Sequence, residues 1–220
     1  MLNIHKNSEP QEVLDWKRDN SELIDFDNYT GDFNDDITPQ AKQALQEELC
    51  KEQGYLCCYC MNRIYPNSMR LEHWQCQHNY PEKKFTYSNM LGACCGNEGS
   101  GSAVEHCDVK KGDGALRCHP ARDRVEDSIK YSPDGTISSD DTQFNTELSG
   151  VLNLNVPFLK SNRSSIVKRL LKELPKRGTW TEQKLRRKIE EYQSHNAEGQ
   201  LRPYCGVVLY FLKKRLRNVR

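Results

Sequence analysis

The sequence predicts an α+β fold: a small zinc-stabilised core embedded in flanking, mostly α-helical segments. Three observations lead there. Cys57 and Cys60 form a C-x2-C knuckle, the spacing at which a tight turn aims two thiolates at one tetrahedral ion. Two short strand-like stretches, M-R-L-E-H-W and T-Y-S-N-M-L, follow it across a polar loop. Helix start and stop signals bracket this part of the chain on both sides.

The length, 220 residues, suits one domain or a small core with appendages. The expected organisation is an acidic segment and helix over residues 1–45, the core over 46–120, and a hairpin plus basic helices over 121–220. No run of about 18 apolar residues occurs, so no membrane span is expected. No charged stretch followed by an apolar region opens the chain, so no secretory signal is expected either. Ten cysteines without such a signal favour metal ligands in a reducing, cytoplasmic compartment over disulfides. The formal charge of +1 hides a strong asymmetry. Residues 1–56 hold 5 Lys/Arg against 13 Asp/Glu, whereas residues 160–220 hold 17 against 5. A basic C-terminal part fits contact with nucleic acid or an acidic partner, although solvated helices alone produce the same pattern.

The first 37 residues are polar and acidic, with Trp16, Leu23, Ile24 and Phe26 scattered among them. I-T-P-Q then starts a helix, with Thr38 as N-cap and Pro39 at the first helical position. Ala41, Ala44, Leu45 and Leu49 face the core and Gly54 stops the helix. Cys50 reads as a small buried hydrophobe. After the knuckle the chain turns through Pro66-Asn67 into the first strand, and Asn79–Phe85 forms the hairpin loop. Asn89 is expected near the end of the returning strand. A Gly/Ser-rich polar insertion spans Gly96–Ser102, and a helix is expected to begin at Cys107 or Asp108. S-I-K-Y-S-P-D-G-T-I-S-S reads as two strands around a turn. Ser161 or Asn162 is the expected cap of S-S-I-V-K-R-L-L-K-E-L, which Pro175 and Gly178 break. T-W-T-E-Q-K-L-R-R-K-I-E-E-Y opens with a Thr cap, and the last segment, from Tyr204, is apolar first and basic last.

Cys94 and Cys107 supply a second thiolate pair, which with Cys57 and Cys60 makes a closed four-cysteine zinc site. Cys58 and Cys95 adjoin chosen ligands, and Cys118-His119 offers another register that no spacing prefers. Between the two thiolate pairs lie Glu72-His73 and Asn89; just after Cys107 lie Asp108 and Lys111-Gly112.

This order of motifs resembles the HNH endonuclease superfamily, whose core is a ββα-metal unit of two strands and one helix. The first motif position falls on His73 with Glu72 before it, and the central Asn falls on Asn89, five residues before Cys94. The third position falls on Asp108, where most members carry His or Asn, with His106 as its rival. The gap between Cys94 and Cys107 is longer than the family's usual two residues. E-Q-G-Y-L-C-C-Y-C, H-C-D-V-K-K-G-D and L-N-L-N-V-P-F-L-K-S-N-R extend the similarity to the bacterial subfamily containing the PtuB-type nuclease subunit of the Septu anti-phage system.

The resemblance implies a nuclease that hydrolyses phosphodiester bonds of DNA or RNA, tRNA included. It implies His73 as general base, Asn89 as an organiser of the hairpin loop, and Asp108 or His106 as the third catalytic position. Glu72 and Asp108 would hold a catalytic divalent cation, Mg2+ above all, because hard cations take oxygen ligands. Lys111 would contact phosphate. The partners implied are an ATPase subunit of PtuA type and, as in some retrons, a reverse transcriptase with its nucleic acid. A zinc-stabilised nucleic-acid-binding or scaffold subunit without cleavage is the other reading these motifs allow.

Overall fold

The computed structural model describes residues 1–22, 24, 31, 33–173 and 180–218, without the side chains of Asn34 and Asp35. Leu23, Phe26, Pro175 and Gly178 lie outside the described residues. The fold is α+β. Helices α1 (Gln11–Asp19), α2 (Phe33–Asp36) and α3 (Pro39–Glu52) lead into an antiparallel pair, β1 (Arg70–His73) and β2 (Met90–Ala93), followed by the short helix α4 (Cys107–Lys111). Then come α5 (Val125–Ser128), a second hairpin of β3 (Ile129–Tyr131) and β4 (Ile137–Ser139), and four helices, α6 (Thr142–Gly150), α7 (Pro157–Glu173), α8 (Glu182–Gln193) and α9 (Cys205–Arg217). One apolar cluster runs from Met1 to Leu212, so the three sequence stretches share a core. Among the described residues, no helix is long and apolar enough to cross a membrane.

Helix α3 begins and ends where its caps require. Thr38 Oγ1 accepts the Ala41 N–H at 3.4 Å, and Pro39 takes the first helical position. At the other end, Gly54 adopts φ +57° while the Tyr55 N–H bonds the Cys50 carbonyl (2.7 Å) and the Gly54 N–H bonds Lys51 (3.0 Å). This pair of bonds satisfies two carbonyls the helix would otherwise leave bare. Gln53, just past the helix, is buried and uses its amide as a strand edge. Its Oε1 accepts the Gly92 N–H (2.7 Å), and its Nε2 donates to the Gly92 and Leu56 carbonyls (both 2.8 Å). The helix, the knuckle and β2 are therefore locked together by one side chain.

The β1–β2 register places Arg70 opposite Ala93, Glu72 opposite Leu91 and His73 opposite Met90. Asn89 precedes β2 rather than ending it, in a 3-10 turn over Tyr87–Asn89. Two further expectations are corrected. The stretch read as polar N-terminal chain contains α1, because Val13 and Trp16, one turn apart, both reach the core. Helix α7 starts at Pro157, so Ser161 and Asn162 lie inside it; proline's fixed φ suits a first turn.

The L-N-L-N-V-P-F-L-K-S-N-R stretch works as a latch. Asn153 Nδ2 donates to the Glu105 (2.8 Å) and Ala103 (3.2 Å) carbonyls of the Gly/Ser-rich insertion. Asn155 pairs through its amide with both backbone groups of Ile137 in β4. Arg163, 1% exposed, donates to the Gly135 and Leu154 carbonyls at 2.6 Å. Only glycine fits at Gly135: its φ is +88° and a Cβ there would stand 1.9 Å from the Lys160 carbonyl.

Candidate functional site

Four thiols from three separate stretches meet at the centre of the molecule. Cys57, Cys60, Cys94 and Cys107 are all buried, with their sulfurs within 4.8 Å of one another, and together could hold a metal ion. The knuckle is shaped by the Cys57 N–H to Asn62 carbonyl bond (2.8 Å), by Met61 at φ +63°, and by the Asn62 N–H aimed at Cys60 Sγ (3.5 Å). Cys107 also takes a left-handed φ of +58°, and its N–H bonds the Leu152 carbonyl. The Cys57–Cys107 and Cys60–Cys94 sulfur pairs stand 3.8 and 3.7 Å apart. A tetrahedral ion with metal–sulfur bonds of about 2.3 Å needs edges of about 3.8 Å. Burial opposes ionisation of Cys57, but hydrogen bonds from its neighbours, Cys107 foremost, pull its thiol well below the ordinary range. Burial and the Cys57 thiolate push Cys107 upward. Ionising all four thiols in so buried a place would call for a cation to balance them.

The neighbouring candidates stay outside this group. Cys95 is exposed. Cys58 is buried, its thiol raised by burial and by the adjacent Cys57. His119 packs against Trp74 instead, with ring centroids 4.8 Å apart. Among the described residues no other group of three or more such ligands is close enough to share an ion.

A second buried polar group lies on β1 and α4. Glu72 is 1% exposed, and its Oε1 accepts from the Tyr59 hydroxyl at 2.5 Å and pairs with Lys111 Nζ at 2.9 Å. Lys111, expected at a phosphate, is 4% exposed and turned inward, where Nζ also donates to the His73 carbonyl at 3.0 Å. Asp108 pairs with Arg70 Nε at 2.6 Å, and Arg70 reaches Glu98 at 2.8 Å. Burial, then the hydrogen bond with Asp108, holds the Glu72 carboxyl well above the usual range. Asp108 goes the other way: burial alone would raise it, but the bonds from Glu72 and Arg70 win and lower it. The proximity of the two carboxyls thus shifts them in opposite directions.

His73 occupies the other side of the strand, as alternation demands. Its Nε2 lies 2.9 Å from the Lys84 carbonyl, and its ring meets Phe33 edge-on at 6.1 Å. The ring is 5% exposed. Asn89 braces this loop, accepting the Gln75 N–H at 2.9 Å and donating to the Gln75 (3.0 Å) and Lys83 (3.3 Å) carbonyls. His106 turns to the thiols rather than to Glu72. Its Nε2 is 3.7 Å from Cys94 Sγ and its ring meets Phe158 edge-on.

Three participants went unnoticed in the sequence. Arg70 stands two residues before Glu72 on one strand, so strand periodicity alone puts both on one face. Tyr59 and Phe33 left no comparable signal, because their contacts span 13 and 40 residues of chain. What the fold and site define is a hairpin and short helix tied by a four-thiol centre, with buried Glu72 and half-buried Asp108 beside it. No protein-family model and no curated protein matches the chain, so the function is argued from these residues.

Proposed function

We propose that the protein is a zinc-stabilised, metal-dependent HNH nuclease that hydrolyses phosphodiester bonds of nucleic acid. The observation that carries this reading is the pairing of Glu72 with Asp108 in one buried site, on a hairpin whose His73 ring and Asn89 bracket are fixed by backbone carbonyls. Zinc suits the four-thiol centre, since four buried cysteines in tetrahedral reach make a closed structural site. Two neighbouring carboxyls offer a hard cation oxygen donors, so Glu72 and Asp108 would hold Mg2+. Such an ion, when bound, polarises the phosphate and stabilises the leaving oxygen.

The chain's own groups do the rest. The Lys84 carbonyl accepts the Nε2 proton of His73 and orients the ring as the base that would take a proton from water. Asn89 holds Gln75 and Lys83 in place and keeps that ring oriented. Lys111 and Arg70 balance the carboxylates until substrate and ion arrive. The His73 ring is 5% exposed, with Phe33 edge-on to it, which suits an effector held off until a partner releases it. The partner proposed from the motif resemblance is an ATPase subunit in a cytoplasmic anti-phage complex, with the basic segment after residue 160 as contact surface.

A second reading has one observation in its favour. Lys111 and Arg70 already neutralise both carboxylates, as they would in a nucleic-acid-binding or scaffold subunit without cleavage. A cleavage panel of DNA, RNA and tRNA with Mg2+, run on the complex with its partner, separates the two. His73→Ala should lower the rate by about 100- to 10,000-fold, the usual worth of a general base, with zinc retained. Asp108→Ala should be nearly as inactive and His106→Ala milder. Equal cleavage by His73→Ala and the parent protein would defeat the nuclease reading.

A further inference from the structure

Tyr59 has no part in the chemistry proposed above, yet its placement is unusual. It sits inside the knuckle, between Cys58 and the thiol ligand Cys60, with its ring fully buried at 0% exposure. A ring in that position would serve packing equally well as phenylalanine. Instead its hydroxyl crosses to β1 and meets Glu72 Oε1 at 2.5 Å. Glu72 is itself enclosed, so it has no water to replace that donor. Lys111 Nζ contacts the same oxygen at 2.9 Å. Oε1 is therefore claimed by two fixed donors, and rotation about the carboxyl is arrested.

From this arrangement we infer that Tyr59 is a positioning residue, which ties the four-thiol knuckle to the Glu72–Asp108 pair and sets the carboxylate geometry for a divalent cation. The inference rests on the metal-dependent reading of that pair. Its physical basis is that a carboxylate binds a cation well when its orientation is settled beforehand, and loss of such a supporting hydrogen bond weakens metal affinity about 10- to 100-fold. The other end of the pair is tied in the same way. Asp108 directly follows the thiol ligand Cys107 in α4, the helix that also carries Lys111. Each carboxylate thus hangs from one half of the thiol centre, Glu72 through a hydroxyl and Asp108 through the backbone. An ion in the thiol centre would fix the separation of the two carboxyls.

The test is Tyr59→Phe, which keeps the buried ring and removes only the hydroxyl. Purified protein would be assayed for zinc content, and then titrated with Mn2+ as the probe ion, read by the paramagnetic signal of free Mn2+. The expected result is unchanged zinc and Mn2+ binding weakened about 10- to 100-fold. With nucleic acid, kcat should fall at fixed Mg2+ while KM for the substrate holds, and excess Mg2+ should restore part of the rate. Tyr59→Phe that binds Mn2+ as tightly as the parent overturns the inference while leaving the nuclease reading intact. A variant that loses zinc together with Mn2+ also overturns it, because the hydroxyl then serves the fold. If the parent protein itself takes up no Mn2+, the inference falls together with the metal-dependent reading.

Discussion

The four-thiol centre and the Glu72–Asp108 pair both place ionisable groups inside the fold but balance their charge in opposite ways. Among the described residues the thiols have His106 Nε2 at 3.7 Å from Cys94 but no Lys or Arg ion pair. Hydrogen bonds from neighbouring thiols pull Cys57 down, burial and Cys57 push Cys107 up, and the four together could hold a metal ion. The carboxylates bring their own cations, Lys111 on Glu72 and Arg70 on Asp108. One region therefore offers four thiols to an ion that would balance them. The other is paired within the chain as it stands.

The strongest way to break this contrast is to damage the thiols. Structural zinc in a small site contributes about 10–16 kcal/mol of apparent folding free energy, comparable to the whole stability of a domain, about 5–15 kcal/mol. Cys57→Ser should yield insoluble or unfolded protein, whereas Cys58→Ser and Cys95→Ser should remain folded with one zinc per chain by elemental analysis. Soluble, folded Cys57→Ser protein would show that the centre does not hold the fold.

The same contrast explains what could be read from the sequence. Thr38, Pro39 and Gly54 act within one or two turns of their own helix, so their roles are written in neighbouring residues. The thiol ligands are legible for a related reason: a C-x2-C turn is local, and few other residue types compete for a soft ion. Helix α1 was hidden because its buried face is only Val13 and Trp16 among polar residues. The inward turn of Lys111 was hidden as well, because it depends on Glu72, 39 positions away in the chain, lying across the helix. Cap signals and knuckles survive in one dimension, and long-range electrostatic pairing does not. The placement of His106 is intermediate: its nearness to Cys94 follows from adjacency to Cys107, but which way the ring turns follows from Phe158.

A smaller effect sharpens the carboxylate side. Both Glu72 and Lys111 have side chains 1% exposed, and removing one partner of a buried pair costs about 3–5 kcal/mol. Glu72→Ala should lose that much in denaturant unfolding, because Lys111 Nζ and the Tyr59 hydroxyl are both left buried without their acceptor. Glu72→Gln should lose far less. Its amide oxygen still accepts from Tyr59 and Lys111, and burial with Asp108 already favours the protonated, neutral form of this carboxyl. Equal losses for the two variants would mean that Glu72 stays ionised against Lys111.

The mildest test asks whether acid attacks the two regions independently. His119 leans on Trp74, the residue after β1, and its Nδ1 accepts the Ala121 N–H at 2.9 Å. Burial, helped by nearby Arg122, pushes its pKa down to about 4, against about 6.5 in an unfolded chain. Between those values the unfolded chain binds more protons than the folded one. Stability from this group is therefore whole above about pH 6.5 and drains away as pH falls toward 4, by at most about 1.4 kcal/mol per pH unit. His119→Asn offers an oxygen to Ala121 and cannot take the proton, so unfolding measured from pH 7.5 to 4.5 should show a shallower slope in the variant. Acid also frees a thiolate-bound ion by protonating its ligands, but His119 touches none of the four cysteines. The pH at which zinc is released should thus be the same in both proteins. A shift of that release in His119→Asn would mean that the hairpin end and the thiol centre open together, and the contrast between the two regions would have to be given up.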